Sequence, residues 1–171
     1  MLELVKKEWF TTDSSKSKLE SIYSLIAYLV LLFTVVFIVI KWSNVPEIIP
    51  THFDALGRVN DTGSKWLVLI FPAILYVTVS LFNFFKKHPE WANYPSRVNE
   101  SNANEFWAIN RETISNLSSS AILFFSIATF NFISSAIGCV DFINGYSFII
   151  LLIVLFIFPV IIQIVKMKKI K

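Results

Sequence analysis

Residues 22–40, IYSLIAYLVLLFTVVFIVI, contain no Asp, Glu, Lys or Arg. An uncharged apolar run of that length matches the roughly 20 residues with which a helix crosses about 30 Å of hydrocarbon. Three more runs repeat the pattern: Trp66 to Phe85, Leu117 to Val140 and Tyr146 to Val165. The whole chain is 55% hydrophobic and only 16% charged, against about one quarter charged in a soluble domain, so a water-facing globular fold is excluded. The runs are continuously apolar and lack the period-two alternation of a barrel strand. Each segment must also satisfy its own backbone groups in lipid, which a helix does.

The expected fold is therefore all-α, a polytopic membrane protein with four transmembrane helices and a short extracytoplasmic hairpin-like loop between the first two. Its divisions are a tail at 1–21, a unit at 22–85 made of spans 22–40 and 66–85 around an outer loop at 41–65, a loop at 86–113, a helical pair at 114–165 with spans 117–140 and 146–165, and a basic tail at 166–171.

Lys and Arg set the orientation. Lys6, Lys7, Lys16 and Lys18 precede the first span, Lys86, Lys87, Arg97 and Arg111 lie in the middle loop, and Lys166, Lys168, Lys169 and Lys171 end the chain. Only Lys41, Arg58 and Lys65 fall on the other side. Both termini are expected in the cytoplasm of a cell membrane, with the 41–65 loop and the Asp141 to Gly145 turn outside. The net charge of +3 then meets anionic headgroups, and nucleic acid need not be invoked.

No cleavable leader is expected, since acidic and basic residues are mixed before the first run and no small-residue cleavage site follows it. The single Cys139 excludes an intramolecular disulfide and a multi-cysteine metal site, and is read as a small packing residue. Leu2, Val5 and Trp9 share a helical face suited to the interface. Trp42, Trp66, Trp91 and Trp107 lie near span ends, where indole rings favour the headgroup level.

Within the third run, Ser115, Ser119, Ser126 and Ser134 share one face, with Ser118, Thr129 and Gly138 alongside. Such a stripe allows close helix approach; a conducting path is the alternative, served only by the amides Asn83, Asn131 and Gln163. Pro72 and Pro159 are expected to kink their helices. In the middle loop, His88 to Pro95 carries two prolines and reads as an ordered turn, with His88 an interfacial residue. Asn102 with Glu105 three residues on reads as a capping box, after which Phe106, Ile109 and Thr113 share a face. The third helix is thus expected to start before the membrane.

The stretch from Pro50 to Lys65, PTHFDALGRVNDTGSK, concentrates turn-formers, ionisable groups and a histidine between two apolar runs. Ile48 to Phe53 should be extended, because Pro50 restricts Ile49 to the β region. Asp54 to Gly57 reads as a turn, with Arg58 and Val59 returning beside His52. Asn60 to Ser64 is expected to turn again, with Ser64 capping the second helix and Lys65 snorkelling outward. A hydrogen bond from His52 to Asp54 would stiffen the hairpin.

The Ile-Pro-Thr-His-Phe-Asp sequence at 49–54, Gly57, and Gly-Ser-Lys at 63–65 closely resemble the signature loop of a bacterial membrane family catalogued as a domain of unknown function. That domain also forms the N-terminal part of the immunity protein for the Sdp killing-factor peptide of bacilli. The resemblance covers roughly Tyr23 to Phe85. Asn93-Tyr94-Pro95 and Glu100 to Trp107 further resemble small uncharacterised members. Two features depart from the pattern: Asn60-Asp61-Thr62 stands where the family carries Asp-Gly-aromatic, and the Sdp immunity protein has further membrane helices.

The resemblance implies fold and placement; the reading of function is a non-enzymatic sensor or immunity-type protein. Its ligand-binding candidates are Pro50, His52, Phe53, Asp54, Gly57, Asn60, Asp61, Gly63, Ser64 and Lys65. Its expected partners are the lipid bilayer, an extracytoplasmic peptide or envelope component and a cytoplasmic regulatory protein. No cofactor, metal or catalytic residue is expected. Two other classes stay open. A transport or channel accessory subunit would line a hydrated path with the serine stripe, and a metal-assisted envelope hydrolase would need His52, Asp54 and Asp61 to converge on an activated water.

Overall fold

A computed structural model describes residues 7–10, 17–53, 58–139 and 145–170. Leu2, Val5, Asp54, Gly57 and the Asp141 turn lie outside the described residues. Among the described residues, four segments are long and apolar enough to cross a membrane: Lys18–Asn44, Lys65–Phe85, Ala103–Ala136 and Tyr146–Met167. Their outward faces carry Leu29, Phe33, Tyr76, Ile149 and Ile161, all about half exposed or more. So broad an apolar exterior requires lipid as its solvent, and the chain is a multi-pass membrane protein.

Helix α1, Lys18–Lys41, starts at Ser17, whose hydroxyl accepts from the Glu20 amide at 3.1 Å. It leads through a 3-10 turn, Trp42–Asn44, into strands β1, Ile48–Phe53, and β2, Val59–Ser64. Helix α2 follows at Ile70–Phe85, then α3 at Ala103–Ala136, α4 at Gly145–Leu152 and α5 at Phe158–Met167. The fold is thus mainly helical with a two-stranded antiparallel sheet, which corrects the all-α expectation. The expected second turn at Asn60 to Ser64 is instead the body of β2. Ile48 pairs with Ser64, Ile49 with Gly63 and Pro50 with Thr62, so these residues continue the ladder.

Helix α3 organises the bundle. Its 34 residues span about 50 Å at 1.5 Å per residue, more than the hydrocarbon needs, so it projects beyond it. It packs against α1, α2 and α5, and Ser115, Ser119, Ser126 and Ser134 are buried along it. Ser119 gives its proton to the Ser115 carbonyl at 3.1 Å, so Ser24 of α1 is the donor in the 3.1 Å contact between their hydroxyls. Thr34 donates to the Ser126 carbonyl at 3.4 Å. The stripe therefore serves helix contact. Ala27, Leu75, Ala121 and Ile122 form the apolar centre between α1, α2 and α3.

Helix α3 ends earlier than the 117–140 run. Gly138 adopts φ +77°, its amide bonds the Ser135 carbonyl at 3.0 Å, and the Cys139 amide reaches the Ser134 carbonyl at 2.9 Å. This is a Schellman cap, which only glycine enters without strain. Gly138 is a terminator rather than part of the packing stripe, and Cys139 is exposed beyond it rather than packed.

The start of α3 also differs from expectation. The Asn102 side chain accepts from the Asn99 amide at 2.8 Å and makes no cap bond, while Asn99 accepts from the Ser101 and Asn102 amides at 2.9 and 3.2 Å. An Asx turn at Asn99 replaces the capping box.

Each proline marks irregular backbone. A 3-10 segment, Lys65–Leu69, precedes α2, so Pro72 lies in the first α-helical turn, next to the change of helix type. Pro159 follows a π segment, Ile153–Ile157, between α4 and α5.

Candidate functional site

The bundle has two chemically distinct ends. At one, β1 and β2 form a hairpin fastened to the helices by Ile49. That side chain is wholly buried with Val45, Val68 and Ile133, which joins the hairpin to the starts or ends of α1, α2 and α3. Burial of each such aliphatic side chain is worth about 1.5–3 kcal/mol. Alternation then turns the residues flanking Ile49 away, and Ile48 is 70% exposed.

Gly63 stands opposite Ile49 because the backbone must approach its neighbours closely here. A Cβ at this position would lie 2.6 Å from Leu67 Cδ1 and 2.9 Å from Thr51 Cγ2. Ser64 accepts from the Trp66 amide at 3.4 Å and caps the following segment, as expected. Lys65 does not snorkel away. Its ammonium meets Glu47 at 2.7 Å and lies 5.5 Å from the centre of the Trp42 ring, which itself packs edge-on to Trp66. The Lys65 amide also bonds the Glu47 carbonyl at 3.0 Å. Lys65 thus ties the entry of the hairpin to its exit.

Two register shifts, between Pro50 and His52 and between His52 and Phe53, bulge the distal part of the ladder. His52 pairs with Asp61 in register, yet its Nδ1 contacts Asn60 Oδ1 at 2.5 Å. Asn60 is thus a partner of the imidazole, while the expected bond to Asp54 lies outside the described residues. With Asn60 Oδ1 as acceptor, Nδ1 carries the proton of this bond. Asp61 accepts from the Thr62 amide at 2.8 Å. His52, Asn60 and Asp61 are all exposed, so the structure gathers a ring, an amide and a carboxylate on a rigid solvent-facing mount. Pro50, Gly63, Ser64 and Lys65 build the mount.

The opposite end holds polar pairs that the sequence reading did not connect. Glu20, 1% exposed, accepts from both terminal nitrogens of Arg111 at 3.3 Å. Lys166 meets Glu112 at 2.6 Å, and the Gln163 amide donates to Asn110. These pairs clamp α1, α3 and α5 together around a cavity of about 200 Å³. Glu20 and Arg111 lie 91 positions apart, so no local pattern connects them. The only signal was a pair of opposite charges just outside two apolar runs.

The middle loop closes over this end, ordered as expected. Tyr94 donates to the Pro89 carbonyl at 2.9 Å and stacks on Phe10 at 5.6 Å. Burial pushes its phenol well above the ordinary tyrosine range, against the opposing influence of Asn110. His88 lies between Phe84 and Trp91, at 4.4 and 5.0 Å, with Nδ1 3.1 Å from Glu90. The Glu90 carboxyl is held below its ordinary range chiefly by its own backbone amide. Trp107 is 5% exposed and packs near Phe10, so it belongs to the protein interior rather than the lipid interface.

Comparison with known proteins finds its family signal at the hairpin end. A family profile described as a domain of unknown function, DUF1648, matches residues 29–76. That window holds the hairpin with parts of α1 and α2 and none of the ion pairs at the other end. An uncharacterized protein of Archaeoglobus fulgidus is 34% identical over 65 residues, which cover 33% of this chain and 36% of the relative. The chain thus matches about a third of that curated relative's length. No solved structure matches.

Proposed function

We propose that this chain is a non-enzymatic envelope sensor or immunity-type protein whose hairpin recognises an extracytoplasmic peptide or other envelope component. The observation that carries this reading is the mount itself: Ile49 and the Lys65–Glu47 pair hold the hairpin rigid while His52, Asn60 and Asp61 face solvent. Recognition by pre-organised side chains loses less conformational entropy than recognition by a free loop. The family match, which centres on the hairpin, supports the same assignment. So does the resemblance of the loop to the N-terminal domain of the Sdp immunity protein.

In this reading, the lysine-rich end is cytoplasmic by the positive-inside rule, and the loop over α3 meets a regulatory partner. Asp54 and Gly57, which follow β1 in the sequence, stay among the candidate recognition residues. In this reading His52 acts as a hydrogen-bonding group whose ring Asn60 orients. The transport reading finds less support, since the stripe serines are buried, Ser119 meets Ser24 and Thr34 bonds the Ser126 carbonyl.

Deletion and overexpression strains challenged with membrane-active peptides test the proposal. Protection that tracks expression, and that is lost in His52→Ala or Asp54→Ala with normal membrane insertion, is the expected result. Unchanged sensitivity in every strain would contradict it.

A further inference from the structure

Helix α2 exposes two unlike flanks. Leu75, buried with Ala27, Ala121 and Ile122, marks the side that faces the bundle. At about 100° per residue, Ile70, Ile74 and Leu81 fall to one side of it and are apolar, each between 44% and 52% exposed. Tyr76, Ser80 and Asn83 fall to the other side and are all exposed, Tyr76 to 75%. The exposed polar side chains of α2 thus share a single stripe.

We propose that this stripe is the contact between two copies of the chain, packed α2 against α2 within the membrane. The proposal is independent of the hairpin's role.

Three observations carry it. First, Tyr76 lies eleven residues after Lys65 and ten before Lys86, so roughly 15 Å of helix stands on either side of it. That is the middle of the hydrocarbon. The side chains of Tyr76, Ser80 and Asn83 have no hydrogen bond among the described residues. Acyl chains supply neither donor nor acceptor, so a second polar surface is the better neighbour.

Second, the stripe advances by three, four and three residues from exposed Ala73 through Tyr76 and Ser80 to Asn83. This is the seven-residue period that keeps one seam of a helix against a partner over successive turns. Small Ala73 and Ser80 alternate with the larger Tyr76 and Asn83, which lets two backbones approach.

Third, the stripe is its own complement. Two copies thread the membrane alike, so in a two-fold pair each residue lies near its counterpart at the same depth. A phenol and a carboxamide each donate and accept, so each bonds its own kind. The stripe meets no charge before Lys87, which lies past the end of α2.

The test is disulfide trapping of the full-length chain in native membranes, in a Cys139→Ser background. Ser80→Cys reports on the polar flank and Leu81→Cys on the apolar one. A mild oxidant is expected to join most of the first variant, and little of the second, into a covalent dimer. Affinity is then read by single-molecule photobleaching in phosphatidylcholine vesicles of falling protein-to-lipid ratio. Tyr76→Phe with Asn83→Leu is expected to weaken the dimer at least about tenfold, as loss of interhelical hydrogen bonds does. Ile74→Leu, on the apolar flank, is expected to leave it unchanged. Equal or greater trapping from Leu81→Cys, a chain that stays monomeric at every ratio, or a dimer equally tight in the double variant overturns the proposal. Trapping of residue 80 to a different membrane protein, with no dimer of this chain, overturns the choice of partner.

Discussion

The hydroxyl of Ser120 in α3 donates to the Leu155 carbonyl at 2.7 Å, and Leu155 lies four residues before Pro159. In an α-helix the residue at 159 would direct its amide at that carbonyl, and proline has none. The Ser120 proton is committed there, so the Tyr23 hydroxyl is the donor in its 2.9 Å contact with Ser120. One serine therefore links three spans and answers the irregularity in the fourth.

Ser120→Ala is expected to lower stability by about 1 kcal/mol, in line with hydrogen bonds between membrane helices. In a Pro159→Ala background the carbonyl regains a helical donor, and the same change is expected to cost less, only the Tyr23 contact being lost. The double-mutant cycle, read by unfolding in detergent, measures this coupling. Additive effects would contradict it.

Ile49 fastens the hairpin. Ile49→Ala is expected to cost about 2–5 kcal/mol locally through lost packing, whereas Ile48→Ala, at an exposed site, is expected to be near neutral. Limited proteolysis of the hairpin should accelerate only in the first variant.

Gly63→Ala forces a methyl group against Leu67 and Thr51, an overpacking expected to cost about 1–3 kcal/mol. The end of the Leu67 side chain is the nearest obstacle. Gly63→Ala with Leu67→Ala is therefore expected to protect the hairpin from protease better than Gly63→Ala alone.

Tyr94 supplies a pH signature. Its folded phenol holds its proton more tightly than the unfolded one, whose ordinary value is 10.0. The associated stability is complete below that value and is lost as pH rises above it toward the higher folded value. Melting temperature in detergent is expected to fall above about pH 10, and Tyr94→Phe is expected to flatten that decline.

The membrane-crossing runs were legible because lipid imposes a minimum length and forbids charge, both visible in one dimension. The first arm of the hairpin was legible through Pro50. Its second arm was not: Asn60, Asp61 and Gly63 have poor strand propensity, and pairing with β1 overrides it. Ser64 as a cap could be read locally, but the recruitment of Lys65 by Glu47 depends on the fold. The serines of α3 announced close packing without naming Tyr23, Ser24 or Leu155 as partners. Gly138 was misplaced because its neighbours are as apolar as the helix it ends. The Glu20–Arg111 pair escaped notice for a related reason, since helices α1 and α3 extend past their charge-free runs.

Cys139 offers the most direct test of the account, because it is exposed at the hairpin end and needs no engineered label. A membrane-impermeant maleimide applied to intact cells is expected to modify Cys139, with Cys139→Ser unlabelled. A cysteine placed at Lys169 in that serine background is expected to react only after lysis. Labelling of Cys139 solely in lysed cells, with the residue-169 reporter open from outside, would contradict an outward-facing hairpin and the recognition role built on it.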